Sequence, residues 1–295
     1  MNKFLERLNS DEILVADGAT GSNLQRMGLR PGQPPEDLII DNPDIVFKLE
    51  GMFVEAGSDI ILTCTFGGTR LRMKDSKYRE RAPEVNTRAA ELARKAASAR
   101  TDVLVAGSMG PTGQLVKPYG PLESDEAKAT FAEQAKALAE GGVDLLLIET
   151  MFAFEETDAA FEGARSVTDL PIVVSFSYDR GTRTMMGVKP KDVLKRYKEK
   201  GATVVGANCG NTLENMELVI KEYCETSPGF PFWAKPNAGL PHMDIQTEQA
   251  VYDMGPEDMA AFANKYVSAG AKIVGGCCGS TPEHVAAIAR AVKGN

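Results

Sequence analysis

The sequence predicts an α/β chain closed into a (β/α)8 barrel, and three observations lead there. Eight short, nearly all-apolar runs recur along the chain. Amphipathic helical stretches separate them, and a glycine marks several of the helix-to-strand junctions. The runs lie at residues 13–16, 59–62, 103–106, 144–148, 171–175, 203–207, 232–235 and 272–275. Runs this short and this apolar suit parallel strands buried on both faces. Helical patterns with charged faces fill the intervals, as at residues 84–100, Ser124–Glu140 and Pro256–Ser268. The steps of roughly 28 to 45 residues each hold one strand and one helix. Gly57, Gly142, Gly201 and Gly270 stand where a helix would end and turn back into a strand. An open doubly wound sheet usually stops at five to seven strands, so eight units favour the TIM barrel. With no low-complexity tract and no break in composition, one barrel domain is expected over residues 1–295. The cluster at residues 30–35 (RPGQPP) reads as a shaped first loop rather than a linker.

Composition narrows the function classes. Hydrophobic residues make up 43% and charged residues 25%, as in ordinary globular domains. The 33 basic and 41 acidic residues leave a net charge of −8, which argues against nucleic acid and anionic membrane as partners. No stretch approaches the ~20 apolar residues of a membrane span. Charges interrupt the first twenty residues where a secretory signal would be apolar, so a cytoplasmic location is expected. The five cysteines are too few, and odd in number, for a disulfide framework.

Barrel enzymes carry their chemistry at the C-terminal ends of the strands. The first run is followed there by Asp17, Gly18, Ala19, Thr20 and Gly21, and the second by Thr63, Cys64 and Thr65. Ser108 follows the third run, and Glu149 the fourth. The sixth leads into Asn208, Cys209, Gly210 and Asn211, and the seventh into Asn237. The eighth leads into Cys277 and Cys278. Sulfurs of Cys209, Cys277 and Cys278 converging on this rim would make a three-thiolate site, for which zinc is the natural ion. No fourth cysteine or histidine accompanies them, although His242 follows the seventh run by a few residues. The position left open would suit a substrate sulfur, whose pKa zinc lowers. Core packing is the alternative for any one cysteine, and the preferred reading of Cys224. A vicinal Cys277–Cys278 disulfide would be strained.

These segments, taken in order, resemble the zinc-dependent homocysteine S-methyltransferases, most closely the homocysteine-binding module of cobalamin-dependent methionine synthase. The motifs are DGATG at 17–21, TCTFG at 63–67, GSMGPTG at 107–113, IETM at 148–151, GANCG at 206–210 and GGCCG at 275–279. The resemblance implies zinc on Cys209, Cys277 and Cys278, with L-homocysteine sulfur as the incoming ligand. It implies homocysteine contacts from Asp17, Gly18, Ala19, Thr20, Gly21, Thr63, Ser108 and Glu149. Glu149 would take the amino group, and the glycine-rich turn would take the carboxylate through backbone N–H groups, as such turns do. Glu149 alone could also be a carboxylate at a helix N-terminus. Asp17 could bind substrate or brace the turn. Asn237 could be an oxygen ligand to zinc without substrate, or an ordinary turn residue. Cys64 stands where the family usually has asparagine, which puts a polar contact there in doubt and offers a fourth sulfur.

The methyl donor implied by the resemblance is methylcobalamin on a corrinoid protein or domain. Relatives use S-methylmethionine or betaine instead. The chain closes directly after its last helix and holds no corrinoid motif, so it is expected to be an excised module or a stand-alone transferase. In-line attack by an activated thiolate needs no general base, in keeping with only two histidines, one of them His284 in the closing helix. Two other classes share parts of the pattern. A corrinoid-linked transferase acting on another thiol would lack the amino-acid clamp, and a non-catalytic zinc- or thiol-binding protein would never turn over.

Overall fold

Eleven α-helices and ten strands make up the chain in a computed structural model that describes residues 2–30, 32–210, 212–243 and 250–294. Pro31 of the first loop and Asn211 of the sixth rim segment lie outside the described residues. In order the elements are α1 (Lys3–Leu8), β1 (Leu14–Val15), α2 (Thr20–Arg26), α3 (Leu38–Asp41), α4 (Pro43–Glu55), β2 (Ile60–Leu62) and α5 (Ala82–Ala97). Then come β3 (Leu104–Met109), α6 (Ser124–Glu140), β4 (Leu145–Met151), α7 (Phe154–Arg165), β5 (Ile172–Phe176), α8 (Pro190–Lys200) and β6 (Val204–Cys209). The last are α9 (Leu213–Thr226), β7 (Phe232–Pro236), β8 (Pro241–Met243), β9 (Ala250–Tyr252), α10 (Pro256–Ser268), β10 (Ala271–Val274) and α11 (Pro282–Lys293).

Eight strands pair in parallel in the order β1-β10-β7-β6-β5-β4-β3-β2. A parallel bridge between Ala16 and Ile60 joins the two outer strands and closes the barrel. All eight predicted runs are strands of this barrel. Successive side chains alternate between two cores, as the pleat requires. Leu14, Ile60, Leu104, Leu145, Val173, Val204, Trp233 and Ile273 fill the interior, and Phe4 and Leu8 of α1 join them. Val15, Ile61, Val105, Leu146, Val174 and Val205 face outward against the helices. Trp233, the bulkiest of the interior side chains, is accommodated by Gly206, where a Cβ would lie 2.2 Å from the Trp233 carbonyl oxygen. The four junction glycines adopt φ between 87° and 110°, the left-handed region that glycine enters without strain.

The strands that build the rim outrun their apolar stretches. β3 continues to Met109, β4 to Met151 and β6 to Cys209, because ladder hydrogen bonds do not require apolar side chains. The helix expected at 84–100 runs from Ala82 to Ala97, with Pro83 in its first turn. An antiparallel hairpin, β8 with β9, is an addition to the eight units. Among the described residues no helix is long and apolar enough to cross a membrane. Opposite the rim, the Asp59 carboxylate accepts from Val15 N–H at 2.8 Å and pairs with Lys293 at 2.7 Å, Arg7 at 2.9 Å and Arg100 at 3.4 Å. It ties α1, α11 and the segment after α5 to the barrel floor.

Candidate functional site

Cys209 ends β6, and Cys277 and Cys278 follow β10, two strands separated only by β7. Their sulfurs lie within 4.8 Å of one another, with Cys209 and Cys277 at 3.0 Å. Hydrogen bonds from Cys209 and Cys277, with help from the Tyr252 hydroxyl on β9 and the charge of Lys235, draw the Cys278 thiol down to about 3. Cys277 is instead pushed up to about 11, and Cys209 well above its ordinary value by its two sulfur neighbours and by burial. One thiolate forms readily while the other two resist. A divalent cation would supply the missing charge, and three soft donors on one point fit zinc.

Asn237 braces this cluster. Its Oδ1 accepts from Cys278 N–H at 3.1 Å, and its Nδ2 donates to the Gly210 carbonyl at 3.4 Å. Cys209 holds φ 53° and Thr150 φ 62°, a region that costs non-glycine residues about 1–3 kcal/mol. Asn208 couples the two, donating to Thr150 Oγ1 at 2.7 Å and accepting from Thr150 N–H at 2.9 Å.

A cavity of about 530 Å3 opens beside the sulfurs. Gly18 to Ser22, Thr63, Cys64, Ser108, Glu149 and Lys235 line it together with the three cysteines. Thr63 Oγ1 accepts from Ser108 N–H at 3.0 Å, and Ser108 Oγ donates to Glu149 Oε1 at 2.5 Å. Burial raises the Glu149 carboxyl to about 7, Lys235 opposing and Cys277 adding to the rise. Ala19 N–H donates to the Ser280 carbonyl at 3.1 Å, which pins the 18–21 turn to the segment after Cys278. Asp17 is not among the lining residues. Its Oδ2 accepts from Leu62 N–H at 2.7 Å, while Lys235 Nζ stands 3.1 Å from its Oδ1 without hydrogen-bond geometry.

Other candidates fall outside the cluster. Cys64 is buried, its thiol pushed well up by desolvation, and it is not part of the sulfur group. His242 pairs with Asp253 at 3.2 Å on the exposed hairpin. His284 caps α11 with Thr281 and meets the Met254 carbonyl at 2.9 Å. Cys224 is half-buried against the core beside Gly270. Sequence reasoning passed over Lys235, a lysine inside an apolar strand, and Asn208, whose signal was its place beside a rim cysteine. Tyr252 gave none, lying on an unforeseen hairpin.

A second cavity, of about 420 Å3, borders Cys209 and Thr150 and is walled by Phe66, Phe152 and Met185. Phe66, Leu115, Tyr119, Met185, Met186, Leu240 and Met243, all from segments that follow strands on this rim, are exposed.

Comparison with known proteins agrees with this architecture. The model of a family described as homocysteine S-methyltransferase matches residues 14–292. The homocysteine methyltransferase MmuM from Escherichia coli, in its metallated form, is 23% identical with a TM-score of 0.83, covering 98% of this chain and 99% of that one. A methyltransferase from Methanosarcina mazei is 14% identical with a TM-score of 0.64, over 99% of this chain and 97% of that one. Type I 3-dehydroquinate dehydratase from Clostridium difficile, 12% identical with a TM-score of 0.53, covers 95% of this chain and 92% of its own. At these identities the likeness is one of fold.

Proposed function

The chain belongs to the homocysteine S-methyltransferase family, and on that premise we propose that it transfers a methyl group to the sulfur of L-homocysteine, giving methionine. The observation that carries this reading is the convergence of three cysteine sulfurs with Glu149 and the 18–21 turn in one cavity. Cys209, Cys277 and Cys278 would hold zinc. When bound, zinc supplies Lewis acidity that lowers the pKa of a thiol brought to the three sulfurs. Glu149 accepts from the amino group, oriented by Ser108, which Thr63 in turn holds. With the Ala19 N–H held by Ser280, the N–H groups of Gly18, Thr20 and Gly21 are left for the carboxylate. Asp17 and Asn237 act as braces. Three free thiols at the working centre suit a reducing, cytoplasmic location.

For the donor we infer methylcobalamin carried by a corrinoid protein or further module. The support is the set of seven exposed apolar side chains around the mouth, a surface suited to a large partner. A small donor such as S-methylmethionine or betaine is the second reading, favoured by the cavity of about 420 Å3 beside Cys209. Zinc-loaded protein given homocysteine should demethylate methylcobalamin anaerobically, with one homocysteine consumed and one methionine formed per corrinoid, which is left as cob(I)alamin. Methionine from S-methylmethionine or betaine alone would select the second reading. No methionine with any donor or with a corrinoid protein, despite bound homocysteine, would overturn both. Replacing Cys209, Cys277 or Cys278 by alanine should remove zinc and activity together.

A further inference from the structure

Lys235 lies in β7, a strand otherwise composed of Phe232, Trp233, Ala234 and Pro236, and is 2% exposed. A lysine is placed so deep only with partners. Two are present: the Gly18 carbonyl, to which Nζ donates at 3.1 Å, and Asp17 Oδ1, also at 3.1 Å. An ammonium has three N–H bonds; one serves the Gly18 carbonyl and at most one more faces Asp17 as an ion pair, so a third remains. Lys235 also lines the larger cavity, beside the 18–21 turn, Ser108, Glu149 and Cys277. The other basic side chains on that cavity, Arg72 and Lys74, belong to the segment at 72–75, and Arg72 lies against Glu36 and Gly113.

The charges around Lys235 are otherwise negative. Burial disfavours its ammonium, and the Asp17 carboxylate at 3.1 Å with the Gly18 carbonyl at 3.1 Å offsets that. Without Lys235, an incoming carboxylate beside the 18–21 turn would meet Glu149 and the cysteine sulfurs, and the basic side chains left on the cavity would be Arg72 and Lys74 of the segment at 72–75. Asp17 alone would neutralise a purely structural lysine, and such a lysine would have no reason to line the cavity.

We propose that Lys235 binds the α-carboxylate of the acceptor through its third N–H, making this chain selective for thiols that carry an α-carboxylate over simple aminothiols. This inference rests on the homocysteine reading of the same cavity. It assigns the two ends of the amino acid to two walls, the ammonium to Glu149 and the carboxylate to Lys235 and the adjoining turn.

The test is calorimetric binding to zinc-loaded protein without a methyl donor, comparing homocysteine with 3-aminopropane-1-thiol, which keeps thiol and amine but lacks the carboxylate. The wild-type chain should bind homocysteine at least about tenfold more tightly than the aminothiol. Lys235→Met and Lys235→Gln should weaken homocysteine about ten- to hundredfold and leave the aminothiol within about twofold. Equal loss for both ligands would reduce Lys235 to a structural role and overturn the proposal, as would no loss for either. If Lys235→Met does not fold, Lys235→Gln carries the same comparison. A wild-type preference near unity overturns the proposal by itself. Failure of wild-type protein to bind homocysteine at all would instead sink the acceptor assignment beneath it.

Discussion

Asn208 and Thr150 hold one another by reciprocal hydrogen bonds, the amide of one answering the backbone N–H and hydroxyl of the other at 2.9 and 2.7 Å. Thr150 and the neighbouring Cys209 are the two non-glycine residues with positive φ among the described residues. A β-branched residue does not stay there unaided. The pair thus fixes the backbone that aims the Cys209 sulfur. Asn208→Ala should lower zinc affinity by about ten- to hundredfold, as loss of an outer support does, while leaving a folded barrel. Chelator competition reads the first and circular dichroism the second. Unchanged zinc affinity would refute the coupling.

With Glu149 taking the amino group as proposed, homocysteine binding should depend on pH. Its carboxyl is raised from 4.5 to about 7, so the folded chain keeps a proton that the unfolded chain releases. Its contribution to stability is therefore complete below about 4.5 and lost as pH rises through about 7. Binding follows the opposite sign, since an ammonium needs the carboxylate. Homocysteine affinity should fall about tenfold between about pH 8 and about pH 6, and Glu149→Gln should bind weakly at every pH. A variant that retains the wild-type slope would assign it to another group.

Gly18 and Gly21 of the same turn should behave differently. A Cβ at Gly18 would lie 2.6 Å from the Phe53 ring and 2.8 Å from the Ser280 carbonyl oxygen, whereas one at Gly21 meets nothing within 4 Å. Gly18→Ala should cost about 1–3 kcal/mol in thermal or denaturant unfolding, and Gly21→Ala under about 0.5 kcal/mol. Equal costs would show that the turn relaxes freely.

Asp59 lies at the far end of the barrel from the sulfurs. Asp59→Asn removes the charge shared by Arg7, Arg100 and Lys293 and weakens the bond to Val15 N–H. Unfolding free energy should drop by about 2–4 kcal/mol with zinc stoichiometry unchanged. Loss of zinc at unchanged stability would contradict the separation of floor and rim.

The barrel was legible because each buried parallel strand leaves a short, nearly all-apolar run, from Leu14 to Ile273. Cys209, Cys277 and Cys278 were legible because their places at strand ends let topology bring them together. The sequence admits Asn237 as ligand or turn residue, and its bonds to Cys278 and Gly210 give it a bracing position. The sequence admits Asp17 as contact or brace, and in the fold it pairs with Lys235, a partner 218 residues away that no local pattern reveals. The β8–β9 hairpin was invisible because Pro241, His242 and Met243 show neither alternation nor an apolar run, all three being exposed. With it went Tyr252, which reaches Cys278.

The insertion of β10 between β1 and β7 makes the chain's last strand its keystone. Two of the three sulfurs arrive only when that strand docks, and the third waits on β6. A partly assembled barrel therefore offers a single thiol, too few donors to compete for an ion. If the three cysteines hold zinc as proposed, its uptake would be a late event and a mark of complete assembly.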